Sequence, residues 1–134
     1  MATTTATLNL SSADLTGDAL ALTTTSTLSK AGTATGMTET SGVGRKTTAA
    51  TVAYTLFDGT DYATNGAHKV YLKNTSTTTS EYFTVTINAE EIGRLYAGDW
   101  AFLPWGAHDA DNDIKITPSV STSMTLEYML ISQA

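Results

Sequence analysis

Apolar and polar residues alternate with a period of two in four segments of this 134-residue chain. The segments are 47–57, 68–73, 81–88 and 122–132. In the last of them, Met124, Leu126 and Leu130 fall on one face, and Thr125 and Glu127 fall on the opposite face. Because successive side chains of a β-strand point to opposite sides of a sheet, this pattern predicts half-buried strands.

Weaker alternation predicts further strands in four more segments. These are 3–10, 19–28, 99–105 (apolar on both faces) and 113–117. About eight strands with polar turns between them indicate an all-β fold, and we expect a single-domain antiparallel β-sandwich of the jelly-roll type. Helix should be minimal, with 88–95 as the one expected helical turn, because Asn88 is a favourable N-cap.

The segment from 29 to 46 does not fit this pattern. It contains four glycines, and Met37 and Val43 are its only large apolar residues. It could be an exposed loop, a hairpin arm, or a segment ordered by a partner, since long unstructured stretches in compact domains are usually functional or disordered. Within one overall domain, we therefore expect N-terminal strands and an arm in 1–46 and the sandwich core in 47–134. Our hypothesis is that 1–46 makes the contacts with other chains.

Composition narrows the function further. The chain contains 28 Thr, 11 Ser and no Cys, which excludes disulfides, thiolate metal sites and a cysteine nucleophile. Thr is β-branched, and it favours strands. A net charge of -6 argues against nucleic acid as a partner, and no apolar run is long enough to span a membrane. The N-terminus beginning at Met1 has no signal-peptide pattern, so we expect synthesis and use without export.

The sequence contains no constellation typical of catalysis. Its two histidines, His68 and His108, lie in no recognisable nucleophile or metal motif, and we interpret both as structural or solvated. We therefore predict a non-enzymatic protein without a cofactor.

The best metal candidates are Asp109, Asp111 and Asp113, whose spacing matches the start of a calcium-binding loop. The match ends there, because Ile114 occupies the glycine position and Val120 the position of the final glutamate. Asp and Asn also favour turns, and a polar turn is the interpretation we prefer.

Large aromatic residues concentrate between 96 and 105. Trp100 and Phe102 would share one face of a strand there. Exposed aromatic rings can bind sugars, but a strand that is apolar on both faces favours a core position combined with a subunit interface. The predicted partner-interface residues are Met37, Val43, Arg45, Arg94, Trp100 and Trp105.

Several short motifs together resemble a known family. They are VYLKN at 70–74, TVTI at 84–87, IGRL at 92–95, GDWA at 98–101, PW at 104–105 and LEYML at 126–130. In this order they resemble small virion structural proteins of tailed bacteriophages, especially the Thr-rich, cysteine-free proteins of marine and cyanobacterial phages. The most similar of these are capsid decoration (cement) proteins, which are small sandwich or jelly-roll modules, often trimeric, on the lattice of the major capsid protein.

The resemblance implies a protein made in the host cytoplasm and located in the virion. Its expected partners are the major capsid protein or other virion proteins, together with further copies of itself in a homotrimer; nucleic acid and membranes are not expected partners. The resemblance transfers no functional residues. Two alternatives remain: a tail, neck or fibre component with a receptor- or carbohydrate-binding sandwich, and a carbohydrate-binding sandwich unrelated to virions.

Overall fold

The described part of the chain forms eleven strands in two compact units. A computed structural model describes residues 3–15 and 17–134, and the units are Met1–Met37 and Thr38–Ala134. The strands are β1 (Thr5–Ser12), β2 (Leu20–Thr27), β3 (Glu39–Thr40), β4 (Gly44–Thr48), β5 (Tyr54–Phe57), β6 (His68–Asn74), β7 (Tyr82–Ile87), β8 (Glu90–Tyr96), β9 (Trp100–Trp105), β10 (Ile114–Pro118) and β11 (Met124–Ser132). Two 3-10 turns, Gly59–Asp61 and Ala110–Asn112, are the helical elements in the part described. None of the helices in these residues has the length and apolar character needed to cross a membrane.

The C-terminal unit is a β-sandwich with the connectivity of a jelly roll. One sheet has the order β4-β11-β6-β9, and the other has the order β5-β10-β7-β8. The short β3 pairs with the same edge of β11 as β4 does, but further along that strand. All strand pairs are antiparallel. The eight strands β4 to β11 thus form two four-stranded layers, which is the jelly-roll arrangement. The predicted all-β antiparallel sandwich is confirmed.

The core lies between the two sheets and follows the alternation read from the sequence. Val70 and Leu72 of the first sheet are fully buried, as are Phe83, Ile114 and Ile116 of the second. The residues between them point outward, so each sheet has one apolar and one mainly polar face. Burial of these large side chains supplies most of the driving force for folding, at roughly 25 cal/mol per Å² of apolar surface.

The segment 47–57 is two strands, not the single strand we expected. β4 pairs with β11 in the first sheet, and β5 pairs with β10 in the second. Between them the chain bends, and Val52 is 54% exposed. A chain that crosses from one sheet to the other cannot remain a single strand. The alternation with a period of two across the bend is therefore a coincidence.

The expected helical turn at 88–95 is wrong. Asn88 and Ala89 have φ angles of 54° and 60°, and Ile87 pairs with Glu90. A two-residue loop with positive φ at both positions is the type I′ turn that joins the strands of a tight hairpin. Asn favours this left-handed conformation as well as helix N-caps, and the sequence pattern alone did not separate these two roles.

Ala89 offers a direct test of this turn. An L-residue with a side chain is strained at φ 60°, whereas glycine is not. We expect Ala89→Gly to raise the free energy of unfolding by about 0.5–1 kcal/mol, measured by urea denaturation. Ala101→Gly within β9 should have the opposite sign, because glycine weakens a strand. A loss of stability in Ala89→Gly would contradict the turn assignment.

The boundary between the two units lies nine residues earlier than the expected one. Residues 39–40 and 44–48 both pair with β11, so the end of the expected arm belongs to the sandwich. Between β3 and β4, Ser41 bridges the interruption: its N–H donates to the Leu130 carbonyl, and its hydroxyl accepts from the Leu130 N–H. Earlier in the segment, Ser29 and Gly36 form an isolated β-bridge. Most of 29–46 is therefore held by backbone pairing.

Candidate interaction surfaces

The outer face of the first sheet carries exposed aromatic rings beside cations. We call it the aromatic face, and it consists of Arg45, Lys69, Tyr71, Lys73, Trp100, Phe102 and Glu127. The register of β6 against β9 sets Lys73 opposite Trp100 and Tyr71 opposite Phe102. Trp100 is 54% exposed and Phe102 37% exposed, because strand alternation turns both away from the core.

Hydrogen bonds fix the middle of the aromatic face. The carboxylate of Glu127 accepts from the Arg45 guanidinium, with Nη2 at 3.2 Å, and from the Tyr71 hydroxyl at 3.2 Å. Partial burial, and then this carboxylate, raise the pKa of Tyr71, so the phenol stays protonated and keeps donating at neutral pH. The face therefore combines rigid polar contacts with exposed apolar rings, which is the composition found in protein interfaces.

The N-terminal unit contains a second candidate surface, a regular hairpin. We call β1 and β2 together the arm; they pair over eight positions without a register shift. One face of the arm is apolar, with Leu10 and Leu22 directly opposite each other and 44% and 45% exposed. The other face is a ladder of hydroxyl and amide groups, in which Thr7 Oγ1 lies 2.9 Å from Thr25 Oγ1.

The edges of the arm have none of the usual protection against pairing with another chain. Neither strand contains a charged residue or a proline, the devices with which edge strands usually avoid such pairing. None of the residues in β1 and β2 is buried. An isolated two-stranded hairpin is only marginally stable in water, so a covering partner would stabilise the arm.

The six predicted interface residues occupy different places. Arg45 and Trp100 lie together on the aromatic face, and Val43, just before β4, is 65% exposed. Arg94 lies on the outer face of the other sheet, where its guanidinium stacks over Tyr82 at 4.9 Å and bonds Glu91 at 3.0 Å.

For two of the candidates the structure corrects the expected surface position. Met37 is 2% exposed and Trp105 is 3% exposed. Trp105 is turned inward because it stands an odd number of residues from Trp100 along β9, so its ring packs against Phe57, Tyr62 and His68 in the core. Neither side chain is accessible to a partner of the folded chain.

Two of the three aspartates considered for metal binding use their carboxylates in other contacts, and the third, Asp111, contributes its backbone N–H to one of them. Asp113 accepts from the Gly59 N–H at 2.9 Å and lies 3.5 Å from the Lys115 ammonium, and Asp109 accepts from the Asp111 N–H. Across residues 3–15 and 17–134, no three His, Asp or Glu side chains form a group that could hold a metal ion. These contacts describe a polar turn.

Both histidines have contacts that fit the structural or solvated interpretation. His68 is fully buried; its Nε2 lies 2.9 Å from the Ala63 carbonyl, and its Nδ1 accepts from the Gln133 N–H. This pairing assigns the proton to Nε2. His108 is exposed, with Nδ1 2.7 Å from Asp109.

Two parts of these surfaces are absent from the predicted interface residues. Tyr71 lies in the alternating segment 68–73, and its position opposite Phe102 depends on how β6 and β9 align. The Leu10–Leu22 pair was readable in principle, because alternating leucines in an uncharged, Thr-rich segment indicate a hairpin with one apolar face. Both surfaces depend on which strands pair and in which register. The periodicity of the sequence does not give this information.

Fold and surfaces define an all-β, jelly-roll-like protein with two exposed faces suited to binding. Comparison of the chain with protein-family models, with curated proteins and with solved structures gives no match.

Proposed function

We propose that this chain is a non-enzymatic virion structural protein of a tailed bacteriophage, and specifically a capsid decoration protein that binds the lattice of the major capsid protein and stabilises the shell. In this proposal the arm makes the lattice contact, and the jelly roll is the larger folded unit of the same chain. In the same proposal, three copies of the chain form a homotrimer on the lattice.

The partly exposed apolar face of the arm is the observation that carries this proposal. Leu10 and Leu22 form a cross-strand apolar pair that is nearly half exposed. A marginally stable hairpin gains stability when a partner packs against such an apolar face. The uncharged edges of the hairpin are also suited to β-augmentation, in which a partner adds a strand. Repetition of a modest contact over many lattice sites gives avidity without high affinity at each site.

Substitutions within the arm test the lattice contact. We expect Leu10→Thr/Leu22→Thr to weaken binding to particles assembled without this chain by about ten- to hundredfold. The lattice contact would bury both leucine side chains, and threonine buries less apolar surface. Co-sedimentation with mass-spectrometric quantification measures the bound fraction. Thr keeps the strand propensity, and the matched control Thr7→Val/Thr25→Val changes the opposite face.

The control variant should bind like the wild type if the apolar face makes the contact. Equal loss in both variants, or no loss in either, would remove the arm from the proposal. Truncation gives a second test, and it should remove residues 1–37, because a longer deletion to residue 46 would also remove β3 and most of β4 from the edge of β11.

A tail, neck or fibre component with a receptor- or carbohydrate-binding face is the second candidate. Trp100 and Phe102, both exposed on the same side of β9, favour it, because aromatic faces stack on sugar rings. Copy number in purified particles separates the two roles. A number on the scale of the capsid lattice supports decoration, and a number on the scale of the tail or vertex supports the alternative.

A further inference from the structure

The aromatic face differs in charge from the chain as a whole. It carries three cations, Arg45, Lys69 and Lys73, and one carboxylate, Glu127, whereas the whole chain has 13 acidic and seven basic residues. The negative charge of Glu127 is shared between Arg45 and the Tyr71 hydroxyl. The face is therefore positive on a protein of net charge -6.

The same face contains the components of an interface core. An exposed Trp and an exposed Phe next to a Tyr on the neighbouring strand are typical of the aromatic residues enriched at the core of protein interfaces. Trp100 and Phe102 lie on β9, an edge strand, with Lys73 and Tyr71 opposite them on β6. A partner on this face would cover apolar rings and would meet positive charge at the rim.

Carboxylates concentrate at the two 3-10 turns of the same unit. The turns are tightly packed, since a Cβ on Gly59 would lie 2.1 Å from the Asp109 carbonyl oxygen. We call this region the acidic end, and it consists of Asp58, Asp61, Asp109 and Asp111. The Thr60 hydroxyl lowers the pKa of Asp58, and a hydrogen bond with His108 lowers that of Asp109. Both carboxyls therefore stay charged well below neutral pH.

We propose that the aromatic face of one copy of this chain binds the acidic end of a second copy. The two surfaces have opposite charge, and both are present on every molecule. Contact between two aromatic faces would instead bring like charges together, which is unfavourable. This inference concerns self-association alone and holds whether or not the protein belongs to a virion.

Such a contact is head-to-tail, and this sets the form of the assembly. A surface that binds a different surface on its neighbour leaves one free site at each end, so that assembly continues until a ring closes or a filament forms. A two-fold symmetric dimer would instead make this contact twice between the same two copies. The proposal is that each pair of neighbouring copies makes the contact once, so it requires species larger than a dimer.

Sedimentation velocity and native mass spectrometry of the full chain test the proposal. We expect concentration-dependent species of three or more copies at about 0.05 M salt, and weaker association at about 0.5 M, because salt screens the charges. Trp100→Glu should weaken the association at least about thirtyfold, since it replaces the exposed indole ring of the aromatic face with a carboxylate. Trp105 then remains as a fluorescent reporter of the intact core.

The matched control for this variant is Tyr96→Glu. Tyr96 is an exposed aromatic residue, 43% accessible, on edge strand β8 of the other sheet. Its substitution makes the same change of charge away from the aromatic face, and association should stay as in the wild type. Equal loss in Tyr96→Glu would show that net charge, not this face, governs association.

A charge swap identifies the partner surface. Lys73→Glu and the pair Asp61→Lys/Asp111→Lys should each associate weakly alone, and a mixture of the two proteins should recover association. Failure of the mixture to recover, while each variant remains folded by circular dichroism, would overturn the assignment of the acidic end. A wild-type chain that stays monomeric, or one that forms only a dimer, would overturn the proposal. So would quenching of Trp100 by a glycan in a monomeric chain.

Discussion

Trp105→Ala is expected to lower the free energy of unfolding by about 3–5 kcal/mol, the range for truncation of a buried aromatic residue. Its ring is 3% exposed and lies 5.4 Å from Tyr62, 5.8 Å from His68 and 6.0 Å from Phe57 between ring centroids. The substitution also leaves the Asn112 carbonyl without the indole N–H, which donates to it at 2.8 Å. Urea denaturation measures the loss.

Trp100→Ala provides the comparison on the same strand. Trp100 is 54% exposed, and surface substitutions usually change stability by less than about 0.5 kcal/mol. The stability of Trp100→Ala is measured below the concentration at which the chain associates. Comparable losses in the two variants would contradict the orientation of β9. A large difference would assign Trp105 to folding and leave Trp100 available for binding.

Asn74→Asp is expected to have a comparably large effect, a loss of about 3–5 kcal/mol at neutral pH. Asn74 is fully buried, and its amide nitrogen donates to the carbonyls of Leu95 at 3.0 Å and Glu81 at 3.3 Å, while its oxygen accepts from the Ser76 N–H. A carboxylate has nearly the same shape but cannot donate. The substitution therefore sets an unpaired buried charge against two carbonyl oxygens.

The loss in Asn74→Asp should depend on pH. Burial and the two carbonyls disfavour the charged form, so the introduced carboxyl has a folded-state pKa above its unfolded value of about 3.9. The penalty is thus small below pH of about 4 and grows as the pH rises through the folded-state pKa. Asn112→Asp makes the same chemical change at a half-exposed position, where the amide also donates to a carbonyl, that of Gly106. It should cost less, because water reaches the introduced carboxylate. A pH-independent deficit in Asn74→Asp would contradict this account.

Strand alternation predicted the core correctly where a strand stays in one sheet. Phe83 and Val85 of β7, and Leu126 and Leu130 of β11, are buried as expected. Period-two patterning is a property of each strand, so it is readable without knowledge of the neighbours. Most of the hydrophobic core of the sandwich could be predicted in this way.

The failures occurred where conformation depends on backbone torsion or on the partner strand. Asn88 and Ala89 form a hairpin turn because β8 pairs with β7, although the residues from 88 to 95 also suit a helical turn. Residues 39–46 follow the edge of β11, although the sequence left open an exposed loop, a hairpin arm or a segment ordered by a partner. In both places long-range pairing outweighs local preference.

The candidate surfaces were only partly predictable for the same reason. In the sequence, Trp100 belongs to an aromatic cluster and Arg45 to a separate Gly-rich segment. The sheet formed by β4, β11, β6 and β9 brings both side chains onto one face. Glu127, the carboxylate that Arg45 and Tyr71 share, comes from a third region of the chain. Sequence patterns identified side chains suited to an interface, but they did not show which of them would share one.

The sequence by itself determined the class of fold, the strand faces and the exclusion of cysteine chemistry. These follow from residue composition and from a local period of two, which act within a few residues of each position. Only the tertiary structure decided that Trp105 fills the core beside His68 while Trp100 faces outward with Tyr71. The orientation of these side chains is set by the register between strands that are distant in the chain. Each strand must align its backbone hydrogen bonds with its neighbour and also pack its apolar side chains against the opposite sheet.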